Sequence, residues 1–238
     1  MYVKSTDSTN TQLMTLNRAE PLPDGFCLYT YCQTAGRGQR GNTWECEAGK
    51  NIAMSLLLRP GQLLSTEHFL LAEQVAIGIV SALSPLLDPQ RLTIKWPNDI
   101  YYDDFKLSGT LIENTFSGAH LDYSIAGIGL NVNQTTFRSN APNPISLAGI
   151  LKRKLELPPI VQAICRQVDA ARRMDHRQTQ QTYAAMLYRR QGMHPFRLPD
   201  GSTFKAAINT VRTDGRIELK REDGSLQTFY FKEVGYCL

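Results

Sequence analysis

Residues 92–132 read LTIKWPNDIYYDDFKLSGTLIENTFSGAHLDYSIAGIGLNV, and this stretch decides the fold. Its apolar runs are rich in β-branched and aromatic residues and are separated by short turns, among them Asp103-Asp104 and Ser117-Gly118. Strands that follow one another so closely pair as antiparallel neighbours, because a parallel crossover needs a dozen residues or more. The stretch therefore predicts an antiparallel meander.

The last strand of the meander carries a change of parity. Its apolar positions are odd-numbered in 121–125 and even-numbered in 128–132. Because successive strand residues point to opposite faces, the apolar face switches near Gly127, and a β-bulge is predicted there. The same alternation puts Asn131 and Asn133 opposite the apolar face.

Further elements flank the meander on both sides. A short helix over 11–16 follows candidate caps at Asp7, Ser8 and Thr9. Upstream of the meander, the pattern predicts strands over 26–32 and 52–58, a glycine-rich polar loop over 33–51 and a buried helix over 66–83. Downstream, it predicts helix over 158–190, broken around Asp175-His176, and then short strands after Pro195 with turns at Asp200-Gly201, Asp214-Gly215 and Asp223-Gly224.

These elements predict an α+β fold, in which a mixed or antiparallel sheet is packed by helices and a small β-barrel closes the chain. The length of 238 residues suits one main domain and one small one. We place the domains at 1–190 and 191–238.

Composition and charge restrict the function. The formal net charge is only +4, and the basic excess is concentrated in 152–190, where either a solvated helix face or an anionic partner would explain it. Five cysteines without a Cys-x-x-Cys pair and four scattered histidines show no metal-ligand spacing. Neither a signal peptide nor a membrane span is recognisable, so we expect a cytoplasmic protein without a membrane partner.

Three segments carry chemistry. Gly36-Arg-Gly-Gln-Arg-Gly41 combines glycines, whose amides can turn toward an anion, with two arginine forks. Lys95-Trp-Pro-Asn-Asp99 presents a polar pair from a stiffened turn, and Lys106-Leu-Ser-Gly109 sets a lysine at the start of a strand whose glycine permits close approach of a ligand. Together they describe a site for a nucleotide and a carboxylate, with Lys95 itself expected to be structural.

With three further segments, these motifs resemble, in order and spacing, the catalytic domain of biotin–protein ligases over residues 5–135. The module over 195–238 resembles that family's SH3-like C-terminal domain more loosely. The motifs are Asp7-Ser-Thr-Asn10, Gln33-Thr-Ala-Gly-Arg-Gly38, Arg40-Gly41 with Trp44, Lys95-Trp-Pro-Asn-Asp99, Lys106-Leu-Ser-Gly109 and Gly127-Ile-Gly-Leu-Asn131.

The resemblance implies an ATP-dependent, AMP-forming ligase. It would activate biotin as biotinyl-5′-AMP and transfer it to a lysine of a biotin carboxyl carrier protein domain of a biotin-dependent carboxylase. Biotin and ATP with Mg²⁺ are then substrates, and no permanently bound cofactor is expected. A homodimer is compatible with the resemblance.

The resemblance also assigns roles to residues, with Lys106 and Arg37 as the catalytic pair. Mg²⁺ would be held mainly by the ATP phosphates, with Asp99 as the candidate protein ligand. The implied biotin-binding residues are Ser8, Thr9, Asn10, Gln33, Gly36, Arg37, Gly38, Lys106 and Gly109. The implied ATP- and adenylate-binding residues are Arg37, Gln39, Arg40, Trp44, Asn98, Asp99, Lys106 and Asn131.

Two departures from the family pattern qualify this expectation. The chain starts almost at Asp7, which predicts the ligase-only form without an N-terminal DNA-binding domain and therefore no DNA partner. Gln39 stands where many relatives have arginine, so retention of the adenylate is expected to be weaker unless Arg40 compensates.

Two alternative functions stay open at this point. A lipoate or octanoate–protein ligase or transferase has a similar catalytic domain but generally lacks the motif over 95–99. A more remote alternative is a basic nucleic-acid-binding module built on 152–190 and the terminal β-module, against which the acidic residues of 1–151 argue.

Overall fold

Two antiparallel sheets and the helices that pack on the first of them make up the protein. The computed structural model describes residues 1–139 and 143–238, with the side chain of Arg40 outside that description. The helices are α1 (Thr9–Ala19), α2 (Phe69–Leu83), α3 (Leu147–Leu151), α4 (Leu157–Ala171) and α5 (His176–Ala185). The first sheet contains β1 (Cys27–Thr30), β2 (Ile52–Leu58), β3 (Leu92–Lys95), β4 (Asp99–Tyr102), β5 (Phe105–Ser117) and β6 (His120–Leu130).

The first sheet has the strand order β1-β2-β6-β5-β4-β3, and every pair in it is antiparallel. Strands β3 to β6 form the predicted meander. The longest ladder joins β5 to β6 and runs from Ser108 opposite Leu130 to Ser117 opposite His120. This ladder carries much of the candidate site, because the two strands present facing glycines to one side of the sheet.

The predicted bulge near Gly127 is wrong. The ladder is regular there, and the extra residue is Asp122, because Thr115 pairs with Tyr123 while Phe116 pairs with Leu121. Apolar residues of both parities are buried because the sheet is covered on both faces. Even-numbered positions such as Ile128 belong to the core that includes α2, whereas Tyr123 packs with residues of α1. The change from odd-numbered to even-numbered apolar positions in β6 therefore reflects burial on both faces and requires no bulge at Gly127.

Helix boundaries follow local chemistry. Ser8, one of the three predicted caps, is the N-cap of α1, and its side chain accepts a hydrogen bond from the Thr11 amide. Asp175 begins α5 with a capping box, so the predicted break between the two downstream helices is confirmed. Helix α2 is buried nearly all round because it lies between the first sheet and helices α4 and α5.

The second sheet contains β7 (His194–Arg197), β8 (Thr203–Val211), β9 (Ile217–Arg221), β10 (Leu226–Phe229) and β11 (Gly235–Tyr236), in the order β10-β9-β8-β7-β11. It contacts the first sheet through Trp96, whose indole Nε1 donates to the carbonyl oxygen of Gly215 at 2.8 Å and whose ring meets Phe231 edge-on. The α+β class is thus confirmed, and the division at 190/191 stays a prediction. Across the described ranges, none of the helices has the length and apolar character needed to cross a membrane.

Gly78 sets the distance between α2 and α4. A Cβ at this position would lie 2.6 Å from the Cα of Val168, so the helix backbones would have to separate. We expect Gly78→Ala to lower the free energy of unfolding by about 1–3 kcal/mol, because overpacking outweighs the gain in helix propensity. Urea unfolding measures this effect, and Gly149→Ala in α3, where a Cβ meets only ordinary contacts, is the matched control. A Gly78→Ala protein as stable as the wild type would refute this account of the packing.

Glu73 of α2 makes stability depend on pH. The residue is 2% exposed, and burial raises the pKa of its carboxyl from 4.5 to about 8. The folded chain then binds a proton that the unfolded chain releases, so the free energy of unfolding falls as pH rises from about 4.5 to about 8. We expect Glu73→Gln to flatten this decrease by on the order of a few kcal/mol. Denaturant unfolding at pH 5 and pH 8 tests it; parallel pH profiles would contradict it.

Candidate active site

A cavity of about 240 Å³ opens where the start of α1, the loop over 33–51, the β3–β4 turn and strands β5 and β6 meet. A second cavity of about 330 Å³ adjoins it and shares Trp44, Asp99 and Lys106 with it. The residues predicted from sequence that line the first cavity are Ser8, Thr9, Asn10, Gln33, Arg37, Gly38, Gln39, Trp44, Asn98, Asp99, Lys106 and Gly109.

The remaining predicted residues lie elsewhere. Asn131 lines the second cavity, and its amide donates to the carbonyl oxygen of Ile145 at 3.0 Å. Gly36 borders neither cavity but a third one, which shares Arg37 and Gly38 with the first. The Arg40 side chain falls outside the described residues.

Trp44 lies flat on the β5–β6 ladder. Gly109 and Gly129 face each other across that ladder. A Cβ on Gly129 would lie 2.3 Å from Cε2 of the indole, and one on Gly109 would lie 3.1 Å from Cζ3. The two glycines therefore provide the space that the ring occupies, and the indole becomes a wall shared by the two cavities.

Lys106 is one of two lysines that border both cavities. Its Nζ lies 2.7 Å from Oδ2 of Asp99 and 5.8 Å from the centre of the Trp44 ring. Only about a quarter of each charged side chain is exposed, so the pair is less screened than a surface ion pair. The attraction between Lys106 and a bound anion would therefore be stronger than the same interaction in bulk water.

Lys95 borders the same two cavities, but its ammonium group is already engaged. It donates to the hydroxyl oxygen of Tyr101 at 3.1 Å and lies over the rings of Tyr101 and Tyr236. Burial lowers the pKa of this lysine. These contacts favour the structural role expected from the sequence.

The start of α1 carries a network of hydrogen bonds. The amide N–H of Thr9 donates to Oε1 of Gln33 at 2.9 Å, and the Ser55 hydroxyl donates to Oδ1 of Asn10 at 2.6 Å. Asn10 fits here because Gly127 lacks a side chain; a Cβ there would lie 2.3 Å from its Oδ1. This network of polar groups presents neutral donors and acceptors to the cavity, as a neutral polar ligand group requires.

The turn between β3 and β4 fixes Asn98. Its Nδ2 donates to the carbonyl oxygen of Thr110 at 3.3 Å, and the Thr110 hydroxyl donates back to the Asn98 carbonyl at 2.6 Å. Gln39 donates from Nε2 to Oδ1 of Asn98 at 3.3 Å. The residue that departs from the family pattern thus ties the glycine-arginine loop to the turn by a neutral hydrogen bond.

Sequence reasoning missed several residues around the site. Thr110 of β5 and Phe231 of the C-terminal module line the first cavity, Glu113 of β5 lines the third, and Ser55 in the apolar run of β2 donates to Asn10. A buried serine in an apolar strand is a weak signal, and Phe231 had none, because its approach depends on how the two sheets pack.

The donor set does not favour a resident metal. Within 1–139 and 143–238, histidine, cysteine and acidic side chains nowhere gather in threes around a common point. Asp99, the candidate Mg²⁺ ligand, is paired with Lys106.

Solved structures of biotin protein ligases have the same overall fold. The chain is similar to the Aquifex aeolicus enzyme determined in complex with biotin and ATP, with a TM-score of 0.75 and 20% identity over 99% of this chain and 97% of that one. It is also similar to the Leishmania major enzyme in complex with biotinyl-5-AMP, with a TM-score of 0.67 and 22% identity over 96% and 97% of the chains. At these identities the likeness establishes the class of fold.

The sequence itself establishes the family. The model of the biotin/lipoate A/B protein ligase family matches residues 2–131, more than half of the chain, and the chain belongs to that family. Among curated proteins it is similar to the biotin–[acetyl-CoA-carboxylase] ligase of Paracoccus denitrificans, at 35% identity over 151 residues, 60% of each chain. It is also similar to the bifunctional ligase/repressor BirA of Escherichia coli K12, at 35% identity over 53% of this chain and 38% of BirA.

The contact of Trp44 with Gly109 and Gly129 gives a test of the site's geometry. We expect Gly129→Ala to displace the indole, because the new Cβ would overlap the ring. Acrylamide quenching of tryptophan fluorescence should then increase, whereas Gly149→Ala, away from the ladder, should leave it unchanged. Unaltered quenching in Gly129→Ala would show that the indole does not rest on this strand.

Proposed function

We propose that this chain activates biotin with ATP to biotinyl-5′-AMP and transfers the biotin to a lysine of a biotin carboxyl carrier protein domain. The observation that carries the proposal is the position of Lys106, which borders both cavities beside Trp44. A cation at such a junction would lie where a carboxylate in one cavity meets a phosphate in the other.

The proposed roles follow the two cavities. The neutral polar groups of Ser8, Thr9 and Gln33 suit the ureido ring of biotin, with Asn10, Gly38 and Gly109 completing that side. Trp44 would pack against the adenine. Gln39, Arg40, Asn98, Asp99 and Asn131 would contact the nucleotide or its Mg²⁺.

The first step joins two anions. A carboxylate oxygen of biotin attacks the α-phosphorus of ATP, and the bond to the pyrophosphate oxygen breaks. Lys106 and Arg37 would offset the repulsion between the reactants and stabilise the charge that builds up in the transition state. Closure of the glycine-arginine loop would keep water from the reactive anhydride.

The second step transfers the acyl group. The ε-amine of the acceptor lysine attacks the carbonyl carbon of biotinyl-5′-AMP, AMP leaves, and an amide bond forms. The curated relative from Paracoccus is named for acetyl-CoA carboxylase, which supports a carrier domain as acceptor. The free thiols of all five cysteines suit the reducing cytoplasm, where we place the reaction.

Lys106→Ala tests the assignment. We expect a loss of 10²–10³-fold in biotin-dependent pyrophosphate exchange, about 3–4 kcal/mol, because the lost interaction is strongest in the transition state. Lys220→Ala, an exposed lysine of β9, is the control, and thermal melting of both variants monitors folding. Exchange within tenfold of the wild type would remove Lys106 from this role.

The same assay decides between acyl substrates. The wild-type chain is given ATP with biotin or with lipoate, and a carrier domain is then examined by mass spectrometry. Biotin-dependent exchange and a biotin adduct support the proposal. Activity with lipoate alone would establish the lipoate ligase that the same family includes.

A further inference from the structure

Tyr183 links helix α5 to the turn between β3 and β4, although none of the motifs includes it. Most of α5 is polar, and Thr179 and Tyr183 are its buried residues. Tyr183 is 1% exposed, and its hydroxyl donates to the carbonyl oxygen of Pro97 at 2.6 Å. Burial raises the pKa of this hydroxyl well above its usual value, so the group keeps its proton and remains a donor.

Packing of the ring does not explain why this residue carries a hydroxyl. The ring meets Phe69 of α2 edge-on with the ring centres 5.9 Å apart, and phenylalanine would fill the same space. A buried hydroxyl without a partner costs free energy, so tyrosine fits here because the Pro97 carbonyl accepts its hydrogen bond. Pro97 lies between the end of β3 at Lys95 and the start of β4 at Asp99, so its carbonyl oxygen is outside the strand ladder.

The hydrogen bond bears on Asn98, because the carbonyl of Pro97 belongs to the peptide group that precedes this residue. A peptide group is planar, so holding its oxygen restricts rotation of the whole plane. The peptide group that follows Asn98 is held from another direction, where the Thr110 hydroxyl donates to the Asn98 carbonyl oxygen at 2.6 Å. The two planes that flank the Asn98 Cα are thus each held by a side-chain hydroxyl, one from α5 and one from β5.

Asn98 keeps hydrogen-bonding capacity for a ligand. Its Nδ2 donates to the carbonyl oxygen of Thr110 and its Oδ1 accepts from Gln39, which leaves one N–H and one lone pair of the amide. The residue lines the first cavity. The neighbouring Asp99 has anchors of its own, the ladder pair with Lys95 and the ion pair with Lys106. Loss of the Tyr183 hydroxyl should therefore affect Asn98 more than Asp99.

We propose that Tyr183 is a positioning residue that orients Asn98 toward the nucleotide through the carbonyl oxygen of Pro97. The part played by the nucleotide rests on the proposed function, whereas the contact between Tyr183 and the turn does not. The role belongs to the hydroxyl and not to the ring, and this difference separates positioning from packing.

Steady-state kinetics of biotin-dependent pyrophosphate exchange test the positioning. We expect Tyr183→Phe to raise the KM for ATP about 3- to 10-fold, the equivalent of one hydrogen bond, and to leave kcat and the KM for biotin within about twofold. Tyr188→Phe is the matched control, since Tyr188 is also buried but its hydroxyl donates to the Asp104 carboxylate. Partial unfolding would instead lower the apparent kcat at an unchanged KM. An unchanged KM for ATP in Tyr183→Phe would overturn the proposal.

A double-mutant cycle tests whether Tyr183 acts through Asn98. In an Asn98→Ala background, the further substitution Tyr183→Phe should change the KM for ATP less than about twofold, because the side chain that Tyr183 orients is absent. If the KM rises as much in this background as in the wild type, Tyr183 acts on the site by another route and the positioning is refuted.

Nuclear magnetic resonance of the full chain tests the contact itself and needs no substrate. Proline labelled with ¹³C at the carbonyl and asparagine labelled with ¹⁵N give a linked signal only from Pro-Asn pairs, of which the chain has two, Pro97-Asn98 and Pro142-Asn143. Asn98→Ala identifies the first signal by removing it. We expect Tyr183→Phe to move the Pro97 carbonyl resonance toward that of a carbonyl without a donor, and Tyr188→Phe to leave it in place. An unmoved resonance in Tyr183→Phe would contradict the proposed contact.

The kinetic and spectroscopic arms separate the two hypotheses. A wild-type chain that shows no biotin-dependent exchange refutes the proposed function, while the carbonyl resonance still decides whether Tyr183 holds the turn. Tyr183→Phe leaves one buried carbonyl without its donor, which is a loss that a folded domain tolerates. If phenylalanine packs badly, both measurements are repeated with Tyr183→Met, whose flexible side chain fills the same space without a hydroxyl.

Discussion

The close contact of Trp44 with two paired strands is the constraint on which the site depends. An indole can lie directly against the strand backbone only where the residues beneath it have no side chains, and Gly109 and Gly129 meet this condition at one register position. The register is fixed in turn by packing on both faces of the sheet, since a slip by one residue would exchange the side chains that face the α2 side for those that face the α1 side. The ring then separates the two cavities and sets the place of Lys106 beside it.

Charge in the site is arranged in local pairs around this wall. Lys106 is paired with Asp99, and Arg37 is paired with Glu113. Pairing lets two cations face one small cavity without strong mutual repulsion. The pairs differ in burial, since half of the Arg37 side chain is exposed but only about a quarter of that of Lys106, so the lysine is the less screened of the two cations.

Much of the fold could be predicted from local patterns. Strand β2 and the meander could be predicted because apolar runs and turn residues are local signals, and the cap of α1 and the break at Asp175 depend on a few adjacent residues. The bulge could not be placed correctly, because the parity of 121–132 reflects which helix covers which face. Which helix covers which face depends on packing between distant segments, so a short stretch of sequence does not reveal it.

The same distinction runs through the site. The sequence by itself determined the glycine-arginine loop, the Lys95–Asp99 turn and Lys106, because each is a short segment whose composition carries its chemistry. Only the tertiary structure decided that Glu113 pairs with Arg37, that the Asn10 amide bonds to Glu113 and Ser55, and that Phe231 borders the cavity. The physical reason is that hydrogen bonds and ion pairs act over about 3 Å in space. Residues from separate strands reach that distance only once the hydrophobic core has set the strand register and the packing of the two sheets.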